Sequence, residues 1–203
     1  MIDFVLATKV EGESLSIIAA DCTPDVPSFY VSKDVENVIF PPVLENQEEY
    51  VNSVFQFARN RGVDLVVPLS DLDLEILSAN KKKFSDQGIT VLVSDRETIK
   101  RCMDKKIGFE FCRDHGISMP NSFFSLDEFD NRYPVIKKPI RGSGSVNTTK
   151  IDGPEGLAYF EEEVDMLQSL VSGIEYGVDI LNDLEGNFVS TCVKRKLLMR
   201  AGE

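Results

Sequence analysis

Histidine and cysteine are scarce in this chain of 203 residues: there is one histidine, His115, and four cysteines, Cys22, Cys102, Cys112 and Cys192. No two cysteines form a C-x-x-C pair, so the spaced thiolates and imidazoles of a structural zinc site are lacking and no metal ligands are assigned. The thiols are read as reduced and mostly buried. Cations are also in deficit: 22 Lys and Arg stand against 34 Asp and Glu, a formal net charge of −12. Neutralising nucleic-acid phosphates takes clustered Lys and Arg, which excludes a broad nucleic-acid surface. No apolar run approaches the roughly 20 residues of a membrane span. The opening Met1-Ile2-Asp3-Phe4 has neither the charged lead nor the apolar stretch of a signal peptide. The expectation is a cytoplasmic protein with no membrane partner. Repeats and low-complexity tracts are absent too.

What is present can fold. An apolar content of 42% argues against disorder, and the length suits one large domain or two small ones. Short continuous apolar runs at residues 16–20, 65–67 and 89–93 read as buried strands. Helical spacing over residues 50–61 and 72–84 separates them, and Gly62 is placed to end the first helix. This β–α–β rhythm argues for a parallel sheet covered on both faces. Ser94 and Glu97 have capping-box spacing, so a helix is expected from about Asp95. His115-Gly116 stops a helix. Beyond Phe123 short strands are expected at 135–138, 148–151, 168–171, 176–181 and 188–193, separated by turns such as Glu185-Gly186-Asn187. A domain boundary is expected within residues 94–104.

The stretch Tyr133-Pro-Val-Ile-Lys-Lys-Pro-Ile-Arg-Gly-Ser-Gly-Ser145 carries the chemistry. It is an apolar strand ending in lysine, followed by a Gly/Ser loop. Glycines let backbone approach a phosphate, and small residues leave N–H groups free to donate. Lysine at the strand end adds a fixed positive charge. G-x-x-x-x-G-K-[ST] is absent, so this is not a Walker A loop. By itself the stretch is equally a flexible hairpin tip.

Two other pieces join it: Cys102-Met-Asp-Lys-Lys106 upstream and Gln168-Ser-Leu-Val-Ser-Gly-Ile-Glu-Tyr176 downstream. In this order and spacing the three resemble the ATP-grasp superfamily. Asp21-Cys-Thr-Pro24, residues 67–75 and the tail 193–203 resemble its branch typified by the carbamoyl-phosphate synthase large subunit. The resemblance implies an α/β fold: a Rossmann-like parallel-sheet pre-ATP-grasp domain over residues 1–100, then an ATP-grasp domain over residues 101–203. The second domain would hold an α+β lid subdomain, residues 120–170, and the start of a central antiparallel sheet. The cofactor implied is ATP with Mg²⁺. The activity implied is activation of a small-molecule carboxylate as an acyl phosphate, attacked by an amine or ammonia as nitrogen donor.

Roles follow from the resemblance position by position. Lys105 and Lys138 match the two phosphate lysines. Gly142, Ser143, Gly144 and Ser145 would form the mobile loop over the β- and γ-phosphates. Gln168 sits where the family places an acceptor for the adenine 6-amino group. Leu170 and Val171 would meet the adenine edge, and Glu175 the ribose hydroxyls, which a two-oxygen carboxylate suits. The family's Mg²⁺ ligands are expected beyond residue 203. The expectation is either a chain cut short at both ends or an unusually short natural product, with residues 4–9 as the remnant of a helix. An exposed sheet edge would then favour homo-oligomers or a partner subunit.

Simpler roles compete. Lys106 and Lys137 are read as solvated, Lys137 pointing opposite to Lys138. Asp104 suits a helix N-terminus, and Glu175 and Gln168 are also ordinary surface residues. Lys194, Arg195, Lys196 and Arg200 either face a substrate anion or form one solvated strand face. Asp71, Asp73 and Glu75 invite a catalytic-carboxylate role, yet Ser70 and Asp73 fit a capping box. His115 reads as a helix-end residue. Two rival functions stand beside ligation: a non-catalytic ATP- or ADP-binding module, and a dinucleotide binder using Asp21. No G-x-G-x-x-G precedes Asp21, which argues against the latter.

Overall fold

The computed structural model describes residues 15–197. It divides into two compact units, Met1–Ile99 and Lys100–Glu203. Among the described residues no helix is long and apolar enough to cross a membrane.

In the first unit β1 (Ile18–Asp21) pairs in parallel with β2 (Glu36–Ile39). The 3-10 turn Pro27–Tyr30 lies between them and seats Phe29 against Ala19 and Val35. Helix α1 (Gln47–Arg61) starts where the Asn46 side chain accepts from the Glu49 N–H, and it ends at Gly62, whose φ of 63° is left-handed. β3 (Leu65–Val66) then pairs in parallel with β4 (Thr90–Val91) across helix α2 (Asp71–Ser85). Val51, Val54, Phe55 and Ala58 of α1 are buried, as are Leu77 and Phe84 of α2 and Ile89, Val91 and Val93 around β4. Phe55 and Phe84 meet edge to face at 5.4 Å, a favoured aromatic geometry.

The parallel β–α–β pattern expected of this half is present, with local differences. The run at 65–67 is not buried on both faces: Leu65 and Val67 are exposed, because β3 pairs with β4 alone in a two-stranded sheet among the described residues. β2 was not anticipated, since Glu36 and Asn37 interrupt its apolar pattern. The cap before helix α3 (Arg96–Met103) is Asp95 rather than Ser94: its carboxylate accepts from both the N–H and the hydroxyl of Thr98. The thiols are free but not mostly buried; Cys22, Cys102 and Cys192 are exposed and Cys112 is partly so. Residues 4–9 lie outside the described residues.

In the second unit Asp104 breaks the helical path and caps α4 (Lys105–Asp114), accepting from the N–H groups of Lys106 and Ile107. The corner is tight. A Cβ on Gly108 would stand 2.8 Å from the Arg101 carbonyl oxygen, and the Arg101 guanidinium lies 4.8 Å from the Phe111 ring centroid. Four antiparallel strands follow in the order β5–β8–β6–β7: β5 (Ser122–Phe123), β6 (Val135–Pro139), β7 (Thr149–Ile151) and β8 (Asp165–Ser169). One face of this sheet closes on Phe129, Val135, Ile151 and Leu167. β8 begins at Asp165, three residues before the expected strand. Met166 and Leu167 are fully buried there, and the acid is accommodated by pairing with Lys137. β9 (Tyr176–Asn182) and β10 (Phe188–Arg195) form a separate exposed hairpin.

Candidate functional site

The register of the four-stranded sheet sorts its side chains. Val135 is opposite Ser169, Ile136 opposite Gln168, Lys137 opposite Leu167 and Lys138 opposite Met166, while Ser122 is opposite Gln168 on the other side of β8. Alternation then puts Lys137 on the face of Val135 and Leu167, and Lys138 on the face of Gln168 and Ser122. The Lys138 ammonium donates to the Gln168 Oε1 at 2.8 Å, the Gln168 Nε2 donates to the Ser122 Oγ at 2.9 Å, and the Ser122 hydroxyl donates to the Pro120 carbonyl at 3.0 Å.

Helix α4 brings the second lysine to the same place. Asp104 and Arg141 form an isolated antiparallel bridge, and the Lys105 N–H donates to the Ile140 carbonyl at 3.0 Å. The segment leaving β6 is thus tied by backbone to the start of α4. The Lys105 ammonium donates to the carbonyls of Gly142, at 2.9 Å, and Ile140, at 3.4 Å. Burial lowers the pKa of Lys105, against an opposing pull from Asp104. Burial also lowers that of Lys138, and the neighbouring Lys105 charge lowers it further. Two partly dehydrated ammonium groups are therefore neighbours, and each is held by neutral carbonyl oxygens. An arriving anion would relieve their repulsion and complete their solvation.

The loop beside them turns through positive φ at Gly142 (134°), Gly144 (63°), Ser145 (56°) and Asn147 (58°). Its inner bonds are long, Val146 N–H to Ser143 at 3.5 Å and Thr148 N–H to Ser145 at 3.2 Å, and its residues are exposed. A positive φ is unfavourable for residues other than glycine, so Gly142 and Gly144 are what allow this path. Backbone N–H groups in such turns form concavities suited to anions.

Direct bonds join Lys105 to Gly142 and Lys138 to Gln168. Leu170 and Val171 lie just past β8 and are exposed, the Leu170 N–H donating to the Pro134 carbonyl at 3.4 Å. Glu175 stands at the base of the hairpin, its Oε1 2.7 Å from the Lys196 ammonium. Lys194 pairs with Asp179 at 2.6 Å, so both tail lysines lie in surface ion pairs; Arg200 falls outside the described residues. Lys137 is not solvated. It points away from Lys138 as alternation requires, but at that face it meets the buried Asp165 carboxylate at 2.9 Å. Lys106 is exposed, 5.7 Å from the centroid of the Phe124 ring.

The acidic run of the first unit opens helix α2. The Ser70 hydroxyl caps α2 by accepting from the Leu72 N–H. The Ser70 cap goes to Leu72 rather than to Asp73; burial raises the Asp73 pKa and nearby Asp21 adds to the rise, against an opposing pull from Tyr50. His115 ends α4 with its Nδ1 2.8 Å from the Phe111 carbonyl. Ser122 was not anticipated from the sequence: nothing in its spacing marks it, and only the β5–β8 register brings it to Gln168. Among the described residues no group of three or more His, Cys, Asp or Glu is placed to hold a metal ion.

Comparison with known proteins follows the same division. Residues 3–92 match the family model described as a PylC-like N-terminal domain, and residues 102–202 match that of the ATP-grasp domain. A Streptomyces coelicolor protein provisionally named D-alanine–D-lactate ligase is 27% identical over 166 residues, covering 74% of this chain and 48% of its own. The L-amino acid ligase of Bacillus licheniformis superposes with a TM-score of 0.63 at 20% identity, covering 88% of this chain and 43% of that one. N5-carboxyaminoimidazole ribonucleotide synthetase of Thermotoga maritima superposes with a TM-score of 0.58 at 19% identity, covering 87% and 44%. The two structural likenesses speak for the fold alone. The chain spans less than half the length of each of these three proteins.

Proposed function

Since the chain belongs to the ATP-grasp family, with a PylC-like N-terminal domain ahead of its ATP-grasp domain, we propose that it supplies the nucleotide-binding portion of a ligase that activates a carboxylate with ATP for attack by an amine or ammonia. The observation that carries this reading is the pair of ammonium groups, Lys105 and Lys138, whose hydrogen bonds among the described residues go to neutral carbonyls beside a glycine loop. In this reading they clamp the nucleotide phosphates. The Gly142 and Gly144 loop closes over them, and Leu170, Val171 and Glu175 receive the base edge and the ribose. The chain's contribution is positioning and charge stabilisation, with loop closure excluding water from a hydrolysable intermediate.

The described residues do not offer a magnesium site, and no step is assigned to the metal. The narrower reading, activity like that of carbamoyl-phosphate synthase, rests on the segments 21–24, 67–75 and 193–203. The name of the Streptomyces coelicolor relative points to an amino acid and a hydroxy acid instead, which supports an amino-acid-like carboxylate as the substrate class to try first.

Calorimetric titration with ATP, with and without Mg²⁺, tests the site. Hydrogen bonds to charged groups contribute about 1.5–3 kcal/mol, so Lys138→Ala and Lys105→Ala should each weaken ATP binding by about 10- to 100-fold. Unchanged affinity in both variants would remove the assignment. The pH dependence has a definite sign. Burial lowers the pKa values of Lys105 and Lys138 in the free protein, and a bound phosphate would raise both. Binding therefore takes up protons, and affinity falls as pH rises through the lowered values.

A further inference from the structure

We infer that Ser122 is a specificity-determining residue: it holds the Gln168 side-chain amide with its oxygen toward the nucleobase, so that a purine bearing a 6-amino group is accepted and one bearing a 6-oxo group is refused. The inference rests on the nucleotide-site reading above and extends it to a residue outside the lysines and the glycine loop.

The argument is a count of protons along one chain of bonds. The Pro120 carbonyl can only accept, so the Ser122 hydroxyl, 3.0 Å away, spends its single proton there. The Ser122 oxygen is then an acceptor toward Gln168, and the group 2.9 Å from it must be the amide NH₂. At the other end the Lys138 ammonium has donors only, so its partner at 2.8 Å must be the amide oxygen. Both ends demand the same orientation. An amide oxygen has two lone pairs, and Lys138 uses one. The other suits an N–H donor such as an exocyclic amino group and repels a carbonyl oxygen.

The two ends are not equally permanent. Lys138 is the group that bound phosphates would draw toward themselves, loosening its hold on the amide. Ser122 is anchored to backbone on a strand paired with β8, so it keeps the orientation once nucleotide is present. Without the Ser122 oxygen the amide is free to turn its NH₂ toward the base, and discrimination is lost.

The test compares dissociation constants for ATP and inosine triphosphate, which differ in the 6-amino and 6-oxo groups. The wild-type chain should prefer ATP by about tenfold or more, on the scale of a polar group left facing the wrong partner. Ser122→Ala should cut that preference about fivefold or more, and Ser122→Thr, which keeps the hydroxyl, should preserve it. In a Gln168→Glu background, where either carboxylate oxygen accepts, adding Ser122→Ala should leave the preference unmoved. This last readout would not respond to a merely structural role, and melting curves verify that each variant is folded. An ATP preference equal in wild type and Ser122→Ala overturns the inference while the nucleotide site stands. Equal binding of both nucleotides by wild type does the same. Absence of binding of either nucleotide to wild type overturns the site reading and the inference with it.

Discussion

Lys137 carries an ammonium 2.9 Å from an Asp165 oxygen, with the two side chains 15% and 6% exposed. Asp165 also accepts from the Glu161 N–H. Removing one member of such a pair strands the other in a poorly solvated place, which typically costs about 3–5 kcal/mol. Lys137→Ala should accordingly lower unfolding stability by about that amount, as chemical denaturation would measure. Lys106→Ala, at an exposed position, should change it by less than about 0.5 kcal/mol. Equal effects would contradict the buried pairing. Adjacent lysines in the sequence thus have unrelated jobs: Lys137 neutralises a buried acid, while Lys138 faces the candidate phosphate site. Alternation predicts their opposite directions, but no sequence pattern revealed what Lys137 meets, because its partner is 28 residues away.

At the scale of elements, the junction between α3 and α4 positions Lys105. Asp104 caps α4, the neighbouring residues 140 and 141 pair with its first backbone groups, and Gly108 allows the Arg101 carbonyl to come close. Gly108→Ala gains about 1 kcal/mol in helix propensity. It also drives a Cβ against a backbone oxygen, and such overpacking costs about 1–3 kcal/mol. The carbonyl belongs to a helix and cannot swing aside, so the cost should win: a lower melting temperature together with weaker ATP binding by calorimetry. A variant as stable as wild type with unaltered ATP affinity would show that this corner does not position the lysine. The cap at Asp104 and the stop at Gly116 were legible in the sequence as local signals. The close approach at Gly108 was not, since a glycine inside a helix has no local signature of what lies against it.

For the whole molecule, stability is distributed unevenly. β8 lies between β5 and β6 with Met166 and Leu167 fully buried, whereas among the described residues β9 and β10 pair only with each other, and the side chains of Val178, Ile180 and Val193 are exposed. A lone two-stranded hairpin is marginal in water, and local opening scales with such differences in burial. Amide hydrogen exchange should therefore be much slower in β8 than in β9 and β10. Comparable protection of the hairpin would mean that its apolar face is covered in solution. The acidic balance of the chain is compatible with anion binding because the two site lysines act locally, in a partly dehydrated place where net charge matters little.

The sequence by itself determined the alternation of strands and helices, the change of texture between the two halves, the helix ends at Gly62, Asp104 and Gly116, and the lysines and glycines proposed for the site. These are signals of short range or of strict periodicity, written within a few residues of where they act. The tertiary structure decided what depends on pairing across long separations. It set the register that puts Ser122, Gln168 and Lys138 in one chain of hydrogen bonds, the burial of Asp165 against Lys137, the tie between α4 and the glycine loop, and the ion pair of Glu175 with Lys196. A one-residue slip in β8 would have turned Gln168 to the opposite face, and no composition or spacing reports which register wins.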